Sequence, residues 1–198
     1  MNDGAIDVSQ AGRTDAAHRV TLRRLGSADR DEFLDLVRAS ADLHRPWVSL
    51  PSTPEQYRAY LARYAKPDEE SLLVCVRGSG NVAGLVNINS IIRGRFQSAS
   101  IAYAAFAPSA GRGYMSEGLE LVVRYAFEQL RLHRLEAQIQ PENEASLKLV
   151  RRAGFRYEGL SPELLYIDGA WRDHERWAIT SSMIDIAPTP PHATLPER

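Results

Sequence analysis

The chain of 198 residues contains one cysteine, Cys75. No disulfide can close within it, so packing and hydrogen bonds must hold the fold, and a reducing compartment is the expected setting. No apolar run approaches the ~20 residues that a membrane-spanning helix needs. The opening stretch, "MNDGAIDVSQAGRTDAAH", lacks the apolar segment of a secretion signal. Excess charge of either sign is also missing: 24 Lys and Arg face 25 Asp and Glu, a net charge of −1. A nucleic-acid binder needs a basic stripe, and this balance argues against one. Metal-ligand spacing is absent too. His174 beside Asp173 in "WRDH" supplies two ligands, and His18, His44, His133 and His192 stand at no spacing that completes a set. The expectation is a cytoplasmic protein with no metal, no membrane and no direct nucleic-acid partner.

A hydrophobic share of 44% and a charged share of 25% are ordinary for a globular domain. Residues 1–18 are small and polar without period, and residues 187–198, "APTPPHATLPER", are proline-rich. Both read as tails around one domain over 19–186. In that domain "VTLRRL" (20–25) alternates as a strand should. Helices are predicted over 27–40 and 53–65, the second with Thr53 as cap and Pro54 in first position. "SLLVCV" (71–76), "VAGLVNINSII" (82–92) and "FQSASIAYAAF" (96–106) follow as an antiparallel meander joined by glycine turns. Cys75, among Leu73, Val74 and Val76, reads as a small buried hydrophobe. "MSEGLELVVRYAFEQL" (115–130) then sets Leu119, Val122, Val123, Ala126, Phe127 and Leu130 on one helical face. A strand (134–140), a helix (143–155, closed by Gly154) and a hairpin (163–180, turning at Asp168 and Gly169) complete a mixed α/β (α+β) domain. Its central sheet is expected to be largely antiparallel.

The entrance of the longest helix reads "AGRGYMSEG" (110–118). A glycine inside a helix costs ~1 kcal/mol relative to alanine, so Gly111 and Gly113 belong to the approach. There the first amides have no internal partner and carry about half a positive charge. Without a Cβ in the way, a phosphate or pyrophosphate can settle on the backbone. Two familiar glycine loops fail: no Lys-Ser/Thr follows Gly113, and Gly118 comes too late for a dinucleotide fingerprint.

With its surroundings the loop says more. "AFAPSAGRGYMSEGLELVVRYAF" resembles the acetyl-CoA motif of the GNAT acetyltransferase superfamily, Gln/Arg-x-x-Gly-x-Gly/Ala between a strand and a helix. Pro108 stands where that motif has Gln or Arg. "PENEASLKLVRRAGFRYEG" resembles the second signature of the superfamily through Asn143, Ser146, Gly154 and Phe155. "LLYIDGAWRDH" and "DLHRPW" are similar to the Rim-type branch, the RimJ/RimL ribosomal-protein alanine N-acetyltransferases. The resemblance covers about residues 20–182.

That resemblance implies a GNAT fold, with the sheet splayed between its two middle strands. It implies acetyl-CoA as acyl donor and an amine that attacks the thioester directly. Ala110, Gly111, Arg112, Gly113, Tyr114, Met115 and Ser116 would hold the pyrophosphate. The small Ala104 and Ala105 would leave room for the pantetheine arm, and amides at Phe106 or Ala107 would polarise the thioester carbonyl. Asn143 would meet the pantetheine, cap its own helix, or both, and Ser146 would protonate the leaving thiolate. A thiol pKa of about 8.5 makes that a modest demand. Tyr157 and Tyr166 stand in reserve as acids or pack on the sheet. Arg45 and Trp47 border the acceptor slot, or Trp47 plugs the core. Arg131, His133 and Arg134 meet the adenosine phosphate or close the helix through its dipole.

No base declares itself. Glu163 flanks the hairpin, and Leu165 stands where the RimL pattern has a glutamate. A peptide α-amine, with pKa ~7.7–8.0, loses its proton about 3.5 kcal/mol more easily than a lysine at ~10.4. A weak base therefore suits a protein N-terminus. The expected partners are acetyl-CoA, a protein N-terminus or small amine such as an antibiotic or polyamine, and a second copy of the chain. A non-catalytic acyl-CoA-binding module is the reading from another class.

Overall fold

The first strand alternates, the second does not, and that difference sets the architecture. β1 (Val20–Arg24) pairs antiparallel with β2 (Glu70–Val76), whose apolar run is buried almost throughout. A strand without alternation has both faces covered. In this computed structural model, which describes residues 18–187, Leu72 and Val74 of β2 enter one core cluster while Leu73 and Cys75 enter another. The second cluster is closed by α1 (Arg30–Ala39) and α3 (Pro54–Arg63), and the first by α4 (Tyr114–Glu128) and α5 (Glu144–Arg152). The tails read at 1–18 and 187–198 lie, but for His18 and Ala187, outside the described residues.

β3 (Val82–Ile92) and β4 (Ser98–Ala105) complete the predicted meander. The chain then crosses through α4 and returns parallel to β4 as β5 (Arg134–Ile139). The hairpin of β6 (Arg156–Ile167) and β7 (Ala170–Thr180) closes the sheet in the order β1-β2-β3-β4-β5-β7-β6. Among these pairs only β4 with β5 is parallel. The mixed, mostly antiparallel sheet is thus as expected. Two elements differ. β6 begins at Arg156 rather than 163, because Gly159 and Pro162 disguise an exposed edge strand as a loop. A short helix, α2 (Ala41–His44), stands between the two helices predicted over 27–40 and 53–65.

α4 crosses the sheet at a glycine for a measurable reason. A Cβ on Gly118 would lie 2.6 Å from Val74 Cγ2, so any larger residue would push the helix off β2. Gly84 of β3 plays the same part beneath the helix entrance, where a Cβ would lie 2.6 Å from the Ala104 carbonyl oxygen and closer still to Met115.

The feature that positions the site is an incomplete ladder. β4 and β5 pair from Ser98 with Arg134 to Ile101 with Ala137. Beyond that point β4 runs on to Ala105 and β5 to Ile139 with no pairing between them. The sheet splays between its middle strands, as expected.

Candidate active site

The splay opens into a cavity of about 670 Å³. Its walls come from the β4 and β5 ends, the α4 entrance, α5, the α2 corner and the β6–β7 turn.

At the α4 entrance Gly111 and Gly113 both take positive φ, 75° and 82°, and Gly113 is the N-cap. The Ala110 amide donates to the Ala107 carbonyl at 3.2 Å, and the Ser116 amide to the Gly113 carbonyl at 3.1 Å. Between them, the amides of Gly111, Arg112, Gly113, Tyr114 and Met115 have no acceptor among the described residues. Consecutive bare amides at the positive end of a 15-residue helix fit a diphosphate. Arg19, just before β1, braces this loop. Its Nε donates to Glu117 Oε1 at 2.7 Å, its Nη2 to the Arg112 carbonyl at 3.0 Å, and its guanidinium lies 5.0 Å from the Tyr114 ring centre. Partial burial raises the Glu117 pKa, but the bonds from Arg19 outweigh it and hold the carboxyl below its ordinary value. Arg19 and Glu117 are 98 positions apart, and no sequence signal joins them.

The open edge of β4 follows from hydrogen-bond parity. The Phe106 amide donates to Ala83 across on β3 at 2.9 Å. In an antiparallel ladder alternate residues bond to one neighbour, so Ala104 and Ala102 also face β3. Tyr103 and Ala105 therefore turn their backbone groups toward the splay. The amides expected to polarise a carbonyl, those of Phe106 and Ala107, are already engaged: Ala107 donates to Ser40 Oγ at 2.9 Å. Phe106 is fully buried against Phe33 and His44 and plugs the core instead of lining the cavity. His44 Nε2 lies 2.8 Å from the Ala105 carbonyl oxygen. A carbonyl only accepts, so Nε2 carries the proton.

On the opposite wall Asn143 Oδ1 accepts the Ser146 amide at 3.1 Å, which makes it the N-cap of α5. Ser146 lines the cavity, and its carbonyl accepts the Tyr103 hydroxyl at 3.3 Å. Burial pushes the Tyr103 phenol well up, so it stays protonated. Lys148 and Arg152 of α5 also line the cavity. Residues at i, i+4 share a helix face, so the spacing of these two cations is the signal in the sequence.

The predicted residues that meet here are Ala104, Ala105, Ala110, Gly111, Gly113, Tyr114, Met115, Ser116, Asn143 and Ser146, with Trp47, Tyr166 and Leu165 also on the wall. Phe106, Ala107 and Arg112 do not line it. Neither does Tyr157, which packs 5.5 Å from Trp177, nor Glu163, whose amide donates to Asp173 Oδ1 at 2.8 Å. Arg134 is held by Glu136 and Glu158, and His133 Nδ1 lies 3.3 Å from Ser181 Oγ. Cys75 is buried, as expected. Among the described residues no cluster of three or more His, Cys, Asp or Glu converges on a metal position, and no helix is long and apolar enough to cross a membrane.

Known proteins resemble this chain in sequence and fold. The acetyltransferase (GNAT) domain model matches residues 19–156. A probable N-acetyltransferase of Bacillus subtilis, YjcK, is 33% identical over 166 residues, 84% of this chain and 88% of that protein. The ribosomal protein uS5-alanine N-acetyltransferase of Escherichia coli is 33% identical over 115 residues, 58% of this chain and 54% of its own length. The spermidine N(1)-acetyltransferase of Escherichia coli is 28% identical, over 83% of this chain and 87% of the enzyme. Among solved structures, Mycobacterium smegmatis RimJ in complex with CoA-disulfide superposes with a TM-score of 0.75 at 26% identity, covering 85% of each chain.

Proposed function

The chain belongs to the GNAT acetyltransferase family, which uses acetyl-CoA, and we propose that its acceptor is the N-terminal α-amine of a protein. The amides of residues 111–115 hold the diphosphate, and Arg19 keeps that loop in shape from behind. The open edge of β4, the backbone groups of Tyr103 and the Ala105 amide, takes the pantetheine arm as an added strand. Bound there, the donor presents its thioester in the splay, and near-attack placement is worth ~7–11 kcal/mol. Ser146 supplies a hydroxyl beside the leaving sulfur.

The cavity's charge carries the choice of acceptor. Asp168 is the one acid among its lining residues, against Lys148 and Arg152. A polyamine with three or four ammonium groups needs several carboxylates to replace its water, and a single exposed aspartate does not supply them. A chain end brings one amine, which near neutral pH is partly uncharged. Its first side chains find apolar walls in Leu43, Trp47, Leu165 and Tyr166. The uS5-alanine relative supports this reading, and the spermidine relative favours the rival. A cytoplasmic site of action suits both a nascent or ribosomal acceptor and the reduced Cys75.

Thiol release with acetyl-CoA decides between them. Peptides with N-terminal Ala or Ser should be acetylated with kcat/KM at least ~100-fold above spermidine. A preference for spermidine overturns the proposal. Binding of acetyl-CoA with no turnover on either acceptor points to the non-catalytic module.

A further inference from the structure

The hairpin leaves the reaction without a glutamate base: Leu165 lines the cavity at the position where the RimL pattern has one, and the Glu163 amide donates to Asp173. We propose that His174 is the general base that takes the proton of the attacking amine, an inference that rests on the amine-acetyltransferase reading.

Its place is set by the sheet. β7 pairs with β5 as far as Glu175 opposite Ile139. His174 is the next residue outward, at the end of the sheet where β4 and β5 part. Opposite it, β6 bulges: Ser161 pairs with His174 and Leu165 with Arg172, so residues 162–164 stand against Asp173 alone. Asp173 fixes that bulge by accepting the Glu163 amide, where Glu163 takes a positive φ of 49°. The "WRDH" stretch thus spends one residue holding the strand and leaves the next for the cavity.

The hydrogen bonds define the tautomer. His174 is 2% exposed, and its Nδ1 lies 2.9 Å from the Arg172 carbonyl oxygen. That oxygen only accepts, so Nδ1 carries the proton and the neutral ring keeps a lone pair on Nε2. Nε2 has no partner among the described residues, and it is not one of the polar atoms sealed from solvent without a partner, which are Glu69 Oε2, Glu70 Oε2, Ser71 Oγ and Asn87 Oδ1. His174 lines the cavity, and with Nδ1 spent on Arg172, Nε2 is assigned to the cavity side. His44, the other buried imidazole on the wall, has its Nε2–H engaged by Ala105 and acts as a brace.

The other titratable groups lining the cavity serve the task less well. They are the phenols of Tyr103, Tyr114 and Tyr166, the Arg152 guanidinium, and Lys148, which lies 3.7 Å from Glu144; as side-chain types these give up protons near neutral pH less readily than an imidazolium does. Asp168 is exposed at the hairpin turn. An ordinary carboxylate of pKa ~3.9 is a far weaker base than an imidazole at ~6.5, which stands within about 1.5 units of an α-amine. In the step, the amine nitrogen forms its bond to the thioester carbonyl carbon and the ammonium proton passes to Nε2. The C–S bond breaks with its electron pair on sulfur, and the thiolate takes a proton from solvent, directly or relayed through the Ser146 hydroxyl, which regains its own proton from water. The imidazolium returns its proton to solvent.

His174→Gln should lower kcat ~100-fold or more and remove the acid limb of the kcat/KM pH profile, with acetyl-CoA affinity within about threefold of the parent. His174→Ala should be restored at least tenfold by added imidazole, which a residue of purely structural value would not allow. A His174→Gln variant within fivefold of the parent, or a retained acid limb with no imidazole rescue, overturns the proposal. A parent that acetylates no amine refutes the proposed function instead. Long-range ¹H–¹⁵N correlation of the His174 ring then still decides: the Nδ1–H tautomer upholds the assignment, and the Nε2–H tautomer overturns it.

Discussion

Replacing Gly111 and Gly113 separately by alanine isolates what the loop does. Both residues sit at positive φ, 75° and 82°, where a side chain costs ~1–2 kcal/mol. They differ in what the new methyl meets. At Gly111 nothing lies within 4 Å, so strain acts alone. At Gly113 the Cβ comes 3.1 Å from Arg19 Nη2, the atom that donates to the Arg112 carbonyl. Arg19 is more than half exposed, so displacing that bond adds only ~0.5–1 kcal/mol after solvent screening. The cheapest relief in either variant is local: a peptide rotates, and one or more amides of residues 111–115 turn away from the diphosphate. The strain should then appear in cofactor affinity more than in global unfolding. Gly111→Ala should weaken CoA binding ~5–30-fold and Gly113→Ala ~10-fold to 100-fold, read by calorimetric titration. Urea midpoints should move little. If both variants bind CoA within twofold of the parent, the backbone of this loop does not hold the diphosphate.

Three further outcomes follow from the packing. Glu117 has a folded pKa below the ordinary 4.5, so its contribution is full above that value and fades as pH falls through the lower one. The parent should therefore lose more Tm than Glu117→Gln between about pH 5 and about pH 3, and equal losses would contradict the role of Arg19 as its partner. Gly118→Ala should destabilise by ~1–2 kcal/mol in urea, because overpacking against Val74 at 2.6 Å outweighs a helix-propensity gain of ~1 kcal/mol. In a Val74→Ala background the same change should be neutral or stabilising. Cys75 is 4% exposed, and burial raises its thiol pKa, so a thiol reagent should label it slowly in the native protein and fully in denaturant. Rapid native labelling would place β2 at the surface.

The parts of the site that could be read in advance are those made by neighbours in sequence. The glycines before α4 announce an anion cradle because their chemistry is local. Asn143 caps Ser146 three positions on, a spacing that any helix start displays. The parts that escaped depend on register and on contacts across the fold. Which amides of β4 face outward turns on a parity fixed by Ala83, and the Phe106 and Ala107 amides are taken up by Ala83 and Ser40, contacts that only the folded chain makes. Arg19 meets Glu117, and His44 meets Ala105, only after the sheet has formed. In sequence His174 has only Asp173 beside it; a β6 bulge that no turn residue foretells sets its neighbourhood in the fold. The late start expected for β6 has a related cause, since an edge strand needs neither alternation nor burial.

An amide-resolved NMR titration with CoA tests the central claim most directly. The amides of Gly111, Arg112, Gly113, Tyr114 and Met115, with those of Tyr103 and Ala105 on the open edge of β4, should shift together and saturate at one affinity. A saturable shift confined to other amides, with these unmoved, would place the nucleotide elsewhere and contradict the reaction assigned to the splay.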